Sequence, residues 1–427
     1  MQRRQFLSAA SGLLATGYLG RGQAAAPRAG TPRFLLVFLR GAYDCNSLLV
    51  PTHSEFYYRA RPTIAIARPG EAHGALALNA DWGLHPLLED SLLTLFQGRQ
   101  ACFVPFAGSN DLSRSHFETQ DSIELGQPLE GRQSFQSGFL NRLAQVLQAD
   151  RQNRGGMSRP AVPKAHSTAA HEGEGTPVTT MAFTAQLPLA LRGSAQAANM
   201  ALASVGKAGV DERHGQVIAS MYQGTALGGA VAEGFAVREA VQRGVQEEME
   251  RAGRDAISAK GFSLVAQRMA VFMREQFDLG FVDVGGWDTH VNQGGASGNL
   301  ANRLAELSRG LATFAREIGP EPWRSTVVAV ISEFGRTFRE NGNKGTDHGH
   351  GTAYWFLGGG LSARAGGAIV GTQTEVTEKA LFQNRDYPVL NEYRDVLGGL
   401  FGRMYGLSPA QIQQVFPASQ ARDLHLV

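Results

Sequence analysis

Phe34-Leu35-Leu36-Val37-Phe38-Leu39, which ends directly in Arg40-Gly41-Ala42-Tyr43-Asp44, decides the fold class. A short run that is apolar without alternation suits a strand buried on both faces, as in a parallel or mostly parallel sheet. Five more short, β-rich apolar runs follow, at residues 101–106, 179–183, 279–284, 326–331 and 354–357, several of them likewise continuous. Between the fourth and fifth of the six, Leu304, Leu307, Leu311, Phe314 and Ile318 recur at helical spacing and stop at Gly319-Pro320. Strands alternating with helices predict an α/β domain with a mostly parallel central sheet and helices on both faces.

The chain opens Met1-Gln2-Arg3-Arg4-Gln5-Phe6-Leu7, a pair of arginines followed by an apolar stretch to Leu19 and small residues at Ala24, Ala25 and Ala26. This reads as a twin-arginine signal peptide over residues 1–26, too short in its apolar part to span a bilayer, where roughly 20 residues are needed. The expectations are export through the twin-arginine translocase to the periplasm or beyond, with no membrane span after cleavage. Removing Arg3, Arg4 and Arg21, and no acid, takes the formal charge from +2 to −1, which gives no reason to expect a nucleic-acid partner. A hydrophobic content of 43% is that of a globular chain, and the remaining length of about 400 residues is ample for a large core. Cys45 and Cys102 belong to no CxxC or metal-type cluster and read as two separate buried thiols.

The domain is expected over 27–410, with 411–427 as a C-terminal tail. Residues 148–176 are polar and without period, as a mobile surface loop would be, and 195–261, rich in Ala, Gln and Glu, read as a helical insertion.

The chemistry concentrates beside the apolar runs, where ligands bind in open α/β sheets. Asp44 follows the first run and reads either as a metal ligand or as a helix cap. In Gly285-Gly286-Trp287-Asp288-Thr289-His290, the carboxylate and imidazole lie two apart and, in extended backbone, share a side. Ser332-Glu333-Phe334-Gly335-Arg336 follows the fifth run, and Asp347-His348-Gly349-His350 precedes the sixth. Asp44, Asp288, His290, Glu333, Asp347, His348 and His350 offer ligands for one or two divalent ions, zinc first among them. In Asp111-Leu112-Ser113-Arg114-Ser115-His116-Phe117-Glu118, Ser115 with Glu118 is a capping box. Ser115, and after it Ser113, is also a candidate nucleophile at a helix start; Arg114 or Arg336 would hold an anionic group, and His116 is a candidate extra ligand.

The twin-arginine start together with RGAYD, SRSHFETQD, GWDTH, SEFGRT and DHGHG resembles an exported family, domain-of-unknown-function 1501, of the alkaline-phosphatase and sulfatase superfamily. The resemblance extends from the signal to about Gly406. It implies a three-layer sandwich and one or two metals at strand ends beside a hydroxyl nucleophile. Matched by motif, Asp44, Glu333 and the Asp347-His348 region would form one part of the metal set, and Asp288, His290 and His350 the other. Glu333 stands where phosphatases usually show an Asp-His pair, and no C-x-P-S-R sulfatase signature surrounds either cysteine. The function expected is a periplasmic, metal-dependent hydrolase of phosphate or sulfate esters, acting on a small-molecule or polysaccharide anionic ester. A noncatalytic exported binding or assembly protein on the same scaffold is the alternative.

Overall fold

All six apolar runs are strands in the computed structural model, which describes residues 30–131, 134–156, 177–202 and 256–427. They are β1 (Arg33–Leu39), β2 (Ala101–Gly108), β3 (Thr180–Ala182), β4 (Leu279–Gly285), β5 (Thr326–Ser332) and β6 (Thr352–Leu357). β1 lies in the middle, paired in parallel with β4 on one side and β5 on the other. In that register Leu39 meets both Val284 and Ser332, so the three strands end level. β3 extends the sheet in parallel beyond β4. β6 runs antiparallel between β5 and β2. That reversal has a consequence: the segment before β6, carrying Asp347 to His350, reaches the same edge as the segments after β1, β2, β4 and β5.

Burial on both faces explains why the runs lack alternation. Leu35, Val37 and Leu39 enter one hydrophobic cluster while Phe34, Leu36 and Phe38 enter another on the opposite face. The first cluster is closed by Phe262–Glu275 and by Asn299–Glu317, whose Leu300, Leu304, Leu307, Leu311 and Phe314 are buried at the expected helical spacing. The second is closed by Phe139–Gly156 and Tyr393–Tyr405. The fold is therefore mixed α/β, with a largely parallel sheet between helices. Among the described residues no helix is long and apolar enough to cross a membrane. Cys45 and Cys102 are separate, free and buried.

Three boundaries differ from the sequence reading. The loop expected from Gln148 starts later, because the helix that begins at Phe139 continues to Gly156. Its last turns are polar, so no apolar period marks them; Gln148 Oε1 accepts from Val178 N at 2.7 Å and Arg151 pairs with Asp278 at 3.0 Å. At the margins of the expected helical insertion, Ala198–Asn199 and Ile257–Ser258 are instead short strands added to β3 and β4. The rest of that insertion, residues 157–176 of the expected loop and the signal segment lie outside the described residues. The tail packs onto the domain: Pro409–Val415 is a helix and Phe416 stacks on Phe139 and Phe401 with centroids 5.1 and 5.9 Å away.

Arg61 follows the short helix Glu55–Ala60 and is fully buried, holding Asp44 through Nη1 at 2.5 Å and Nη2 at 3.0 Å. It also donates to the carbonyls of Phe338 and Thr337. Arg61→Ala strands a buried carboxylate and is expected to cost about 3–5 kcal/mol. Urea unfolding should show a lower midpoint at unchanged slope, and Asp44→Asn in the same chain should recover part of the loss.

Candidate metal centre

Asp288 is set in place by two features of the turn after β4. Trp287 is buried, donates Nε1–H to Val284 O at 2.8 Å and packs edge-on against Tyr43. Gly41, at φ +114, lets the backbone after β1 pass so close that a Cβ there would fall 2.8 Å from Asp288 N. His116 is the first residue of the helix His116–Leu125, whose N-cap is Ser115. His348 lies on the segment before β6, bridged to Arg336, and Gly349 allows that close approach because a Cβ would meet the Arg336 backbone.

These elements bring three imidazoles and one carboxylate together. His348 Nε2 is 3.0 Å from His116 Nε2 and 3.0 Å from His290 Nε2. Asp288 Oδ1 is 2.9 Å from His290 Nε2 and 3.4 Å from His348 Nε2, and Asp288 Oδ2 is 3.5 Å from His116 Nε2. Every Nδ1 has an acceptor of its own. His116 Nδ1 faces Glu333 Oε1 at 2.8 Å, His290 Nδ1 faces Asp347 Oδ1 at 3.0 Å, and His348 Nδ1 faces Arg114 O at 3.0 Å. With the proton drawn to Nδ1, three Nε2 lone pairs point at one another and at a carboxylate; Arg336 Nη1 lies 3.4 Å from His290 Nε2, and a cation among the three nitrogens would relieve the repulsion that is left. Acceptors behind metal-binding imidazoles fix ring and tautomer in this way. Asp288 Oδ2 is buried and has no hydrogen-bond partner among the described residues. His116, Asp288 and His348 offer donor atoms within 4.8 Å of one another and could hold a metal ion.

Behind these candidate ligands the charges are paired. Arg336, buried, bonds Asp288 Oδ1 and the carbonyls of Gly41, Ala42 and Thr346. Burial pushes the Asp288 carboxyl up, but Arg336 and the three histidines more than reverse this and hold it far below the usual carboxylate range. Glu333 is fully buried, with burial again outweighed by His116 and Gln120, and is held down at about 2. Its Oε1 accepts from Gly41 N at 2.8 Å and Gln120 Nε2 at 2.9 Å. Burial, with Arg336 and His116 nearby, lowers His348 against the pull of Asp288.

Of the sequence candidates, the structure thus brings Asp288, His290 and His348 together and adds His116, which the sequence marked only as an extra. Glu333 and Asp347 stand one step back, on His116 and His290. Asp44 is drawn elsewhere: Arg61, Ser47, Asn46 and Gln293 take its oxygens, and it caps the turn that follows. His350 is buried with its ring against Phe382 and lowered to about 4, chiefly by burial. Ser115 caps its helix, and Ser113 Oγ lies 3.3 Å from both Ser115 N and Thr119 Oγ1. Arg114 pairs with Asp386 at 2.7 Å. Arg336 is enclosed at Asp288 and not turned toward solvent. The signal that identifies His116 is its place directly after a capping serine, since the first residue of a helix is carried to the strand-end edge.

Fold and site define a class: a mixed α/β domain with a largely parallel sheet that gathers a histidine–aspartate group suited to a metal ion at its strand ends. Within that class the chain belongs to the family described as "Protein of unknown function (DUF1501)", whose model matches residues 31–416. No curated protein and no solved structure matches it.

Burial alone would push the His116 imidazole down, but Asp288 and Glu333 outweigh it and raise it to about 9. In the metal-free protein His116 therefore carries a proton at neutral pH, and that proton must leave before Nε2 takes a cation. Its stabilising contribution is complete below the ordinary value near 6.5 and is lost as pH rises through about 9. Zinc affinity, read by competition with a chelating dye, should accordingly rise by up to about tenfold per pH unit between about pH 6.5 and 9. The Tm gap between zinc-loaded and metal-free protein should widen over the same range. An affinity flat with pH would contradict a His116 ligand.

Proposed function

We propose that this protein is a periplasmic, metal-dependent hydrolase of phosphate or sulfate esters, built on an alkaline-phosphatase and sulfatase-like scaffold and exported by the twin-arginine route. The observation that carries this reading is the convergence of three buttressed imidazole Nε2 atoms on Asp288. Three nitrogens and one carboxylate oxygen suit zinc, and with Asp44 committed to Arg61 the set serves one ion. The side chains of His290 and His348 are 20% and 17% exposed, so one side of the group remains open to a substrate, as a catalytic site requires and a structural one does not. A zinc ion held there supplies Lewis acidity to an ester oxygen and lowers the pKa of water or a hydroxyl beside it.

The chain's own residues divide the remaining work. Glu333 and Asp347 hold His116 and His290 in register and keep their Nε2 atoms unprotonated when the ion is bound. Arg336 holds Asp288 from behind, while Arg114, partly exposed and joined to His348 through its carbonyl, is the arginine placed to meet an anionic ester. Ser115 is engaged in capping and Ser113 accepts from Ser115 N, which makes water the favoured nucleophile and Ser115 the second. The same engagement of both serines and both arginines is what favours the noncatalytic reading, an exported binding or assembly protein that keeps the scaffold.

The test is metal analysis of the mature protein with a panel of aryl phosphates and sulfates. The expected result is about one zinc per chain and turnover that falls by roughly 100-fold or more in Asp288→Ala and in His348→Ala. Zinc retained with no turnover on either ester series would select the noncatalytic reading. A metal-free protein indifferent to both substitutions would end the metal-centre reading altogether.

A further inference from the structure

Away from the metal centre, the described residues form an open cleft of about 460 Å3. The helix His116–Leu125 separates the two: His116 reaches the metal ligands, and Glu124, near the other end, lines the cleft. Eight residues of helix put them about 12 Å apart along its axis. The floor is Arg40, which pairs with Asp283 at 2.6 Å and Glu124 at 2.7 Å. The far wall is pinned and not a chance gap. Ala190 N donates to Glu124 Oε2 at 3.0 Å, Gly138 N donates to Arg192 O at 2.9 Å, and Asn141 Nδ2 donates to Leu191 O at 2.8 Å. On the rim stand Phe135, 53% exposed, with Gln186 and Arg192 also exposed.

We propose that this cleft binds a short stretch of uncharged glycan. Its lining holds two arginines and three carboxylates; the charge of Arg40 is matched by Asp283 and Glu124, which leaves the exposed Arg192 on the rim as the remaining cation in a lining whose formal charge is negative, a poor clamp for a phosphate or sulfate. A sugar hydroxyl both donates and accepts, and the lining supplies both kinds of partner: guanidinium and amide N–H, carboxylate and amide oxygens. The ring face of Phe135 carries the negative side of its quadrupole, which suits the polarised C–H face of a pyranose. The volume falls in the range of preformed small-ligand sites, and the mostly polar lining disfavours an acyl chain. This inference is independent of the hydrolase reading.

The experiment titrates the full mature chain with neutral tetraoses of glucose, mannose, galactose and xylose, read by saturation-transfer NMR and calorimetry. At least one tetraose is expected to bind. Phe135→Ala should weaken it by roughly tenfold and Phe135→Trp should retain it. Gln186→Ala should weaken it by a few-fold, while zinc content and Tm stay those of the parent chain in all three variants. Because binding is read without turnover, it should persist in His348→Ala, which separates this result from the fate of the metal centre. Failure of every tetraose to bind, binding indifferent to both Phe135→Ala and Gln186→Ala, or preference for a phosphorylated over a neutral sugar would each overturn the proposal.

Discussion

Three guanidinium groups lie buried at one edge of the sheet, and each is there only because a carboxylate neutralises it. Arg40 meets Asp283 and Glu124, Arg61 meets Asp44, and Arg336 meets Asp288. Taking such charges out of water costs several kcal/mol apiece, and close pairing roughly offsets that without a large surplus. Their effect is on geometry. Arg61 ties the turn after β1 to the segment after β5, Arg336 ties that segment to the turn after β4, and Arg40 ties β4 to the helix that begins at His116. The loops that would otherwise wander from the strand ends are thereby locked at one place.

That lock explains why the group of imidazoles is preorganised. His116, His290 and His348 arrive on three separate segments, and each ring is fixed by an acceptor on its far nitrogen. In the metal-free protein the proton on His116 takes the place of a cation among the lone pairs, so the arrangement holds together without an ion. A metal ion held there would exchange with that proton and would need little rearrangement of the backbone.

The strands were legible because a doubly buried strand leaves a continuous apolar run, and all six runs are strands of one sheet. The helix Asn299–Glu317 was legible because one face alone is buried. The polar last turns of Phe139–Gly156 and the two-residue strands at 198–199 and 257–258 were not, since strand pairing and a few bonds between residues distant in sequence define them and neither leaves a pattern of residue types. At the site, residue type revealed the candidates but not their partners. Asp44 and Asp288 look alike in sequence, each an acid a few residues past a strand. What distinguishes them is Arg61, 17 residues beyond Asp44, whose two bonds leave that carboxylate nothing to offer an ion, while Oδ2 of Asp288 remains without a hydrogen-bond partner among the described residues. The part of His116 turned on the first position of a helix, which a capping serine marks but a lone histidine does not.

The placement of β1 sets a clock. Its two neighbours in the sheet begin at residues 279 and 326, so β1, the first strand of the described residues, has no sheet partner until about 245 further residues have been made. At a synthesis rate of roughly 5–20 residues per second, that is a delay on the order of 12 to 50 s. During it a strand apolar from Phe34 to Leu39 stays without its place in a sheet. Whatever holds the young chain in the cell over that interval is as much a requirement of this topology as the pairing that finally ends it.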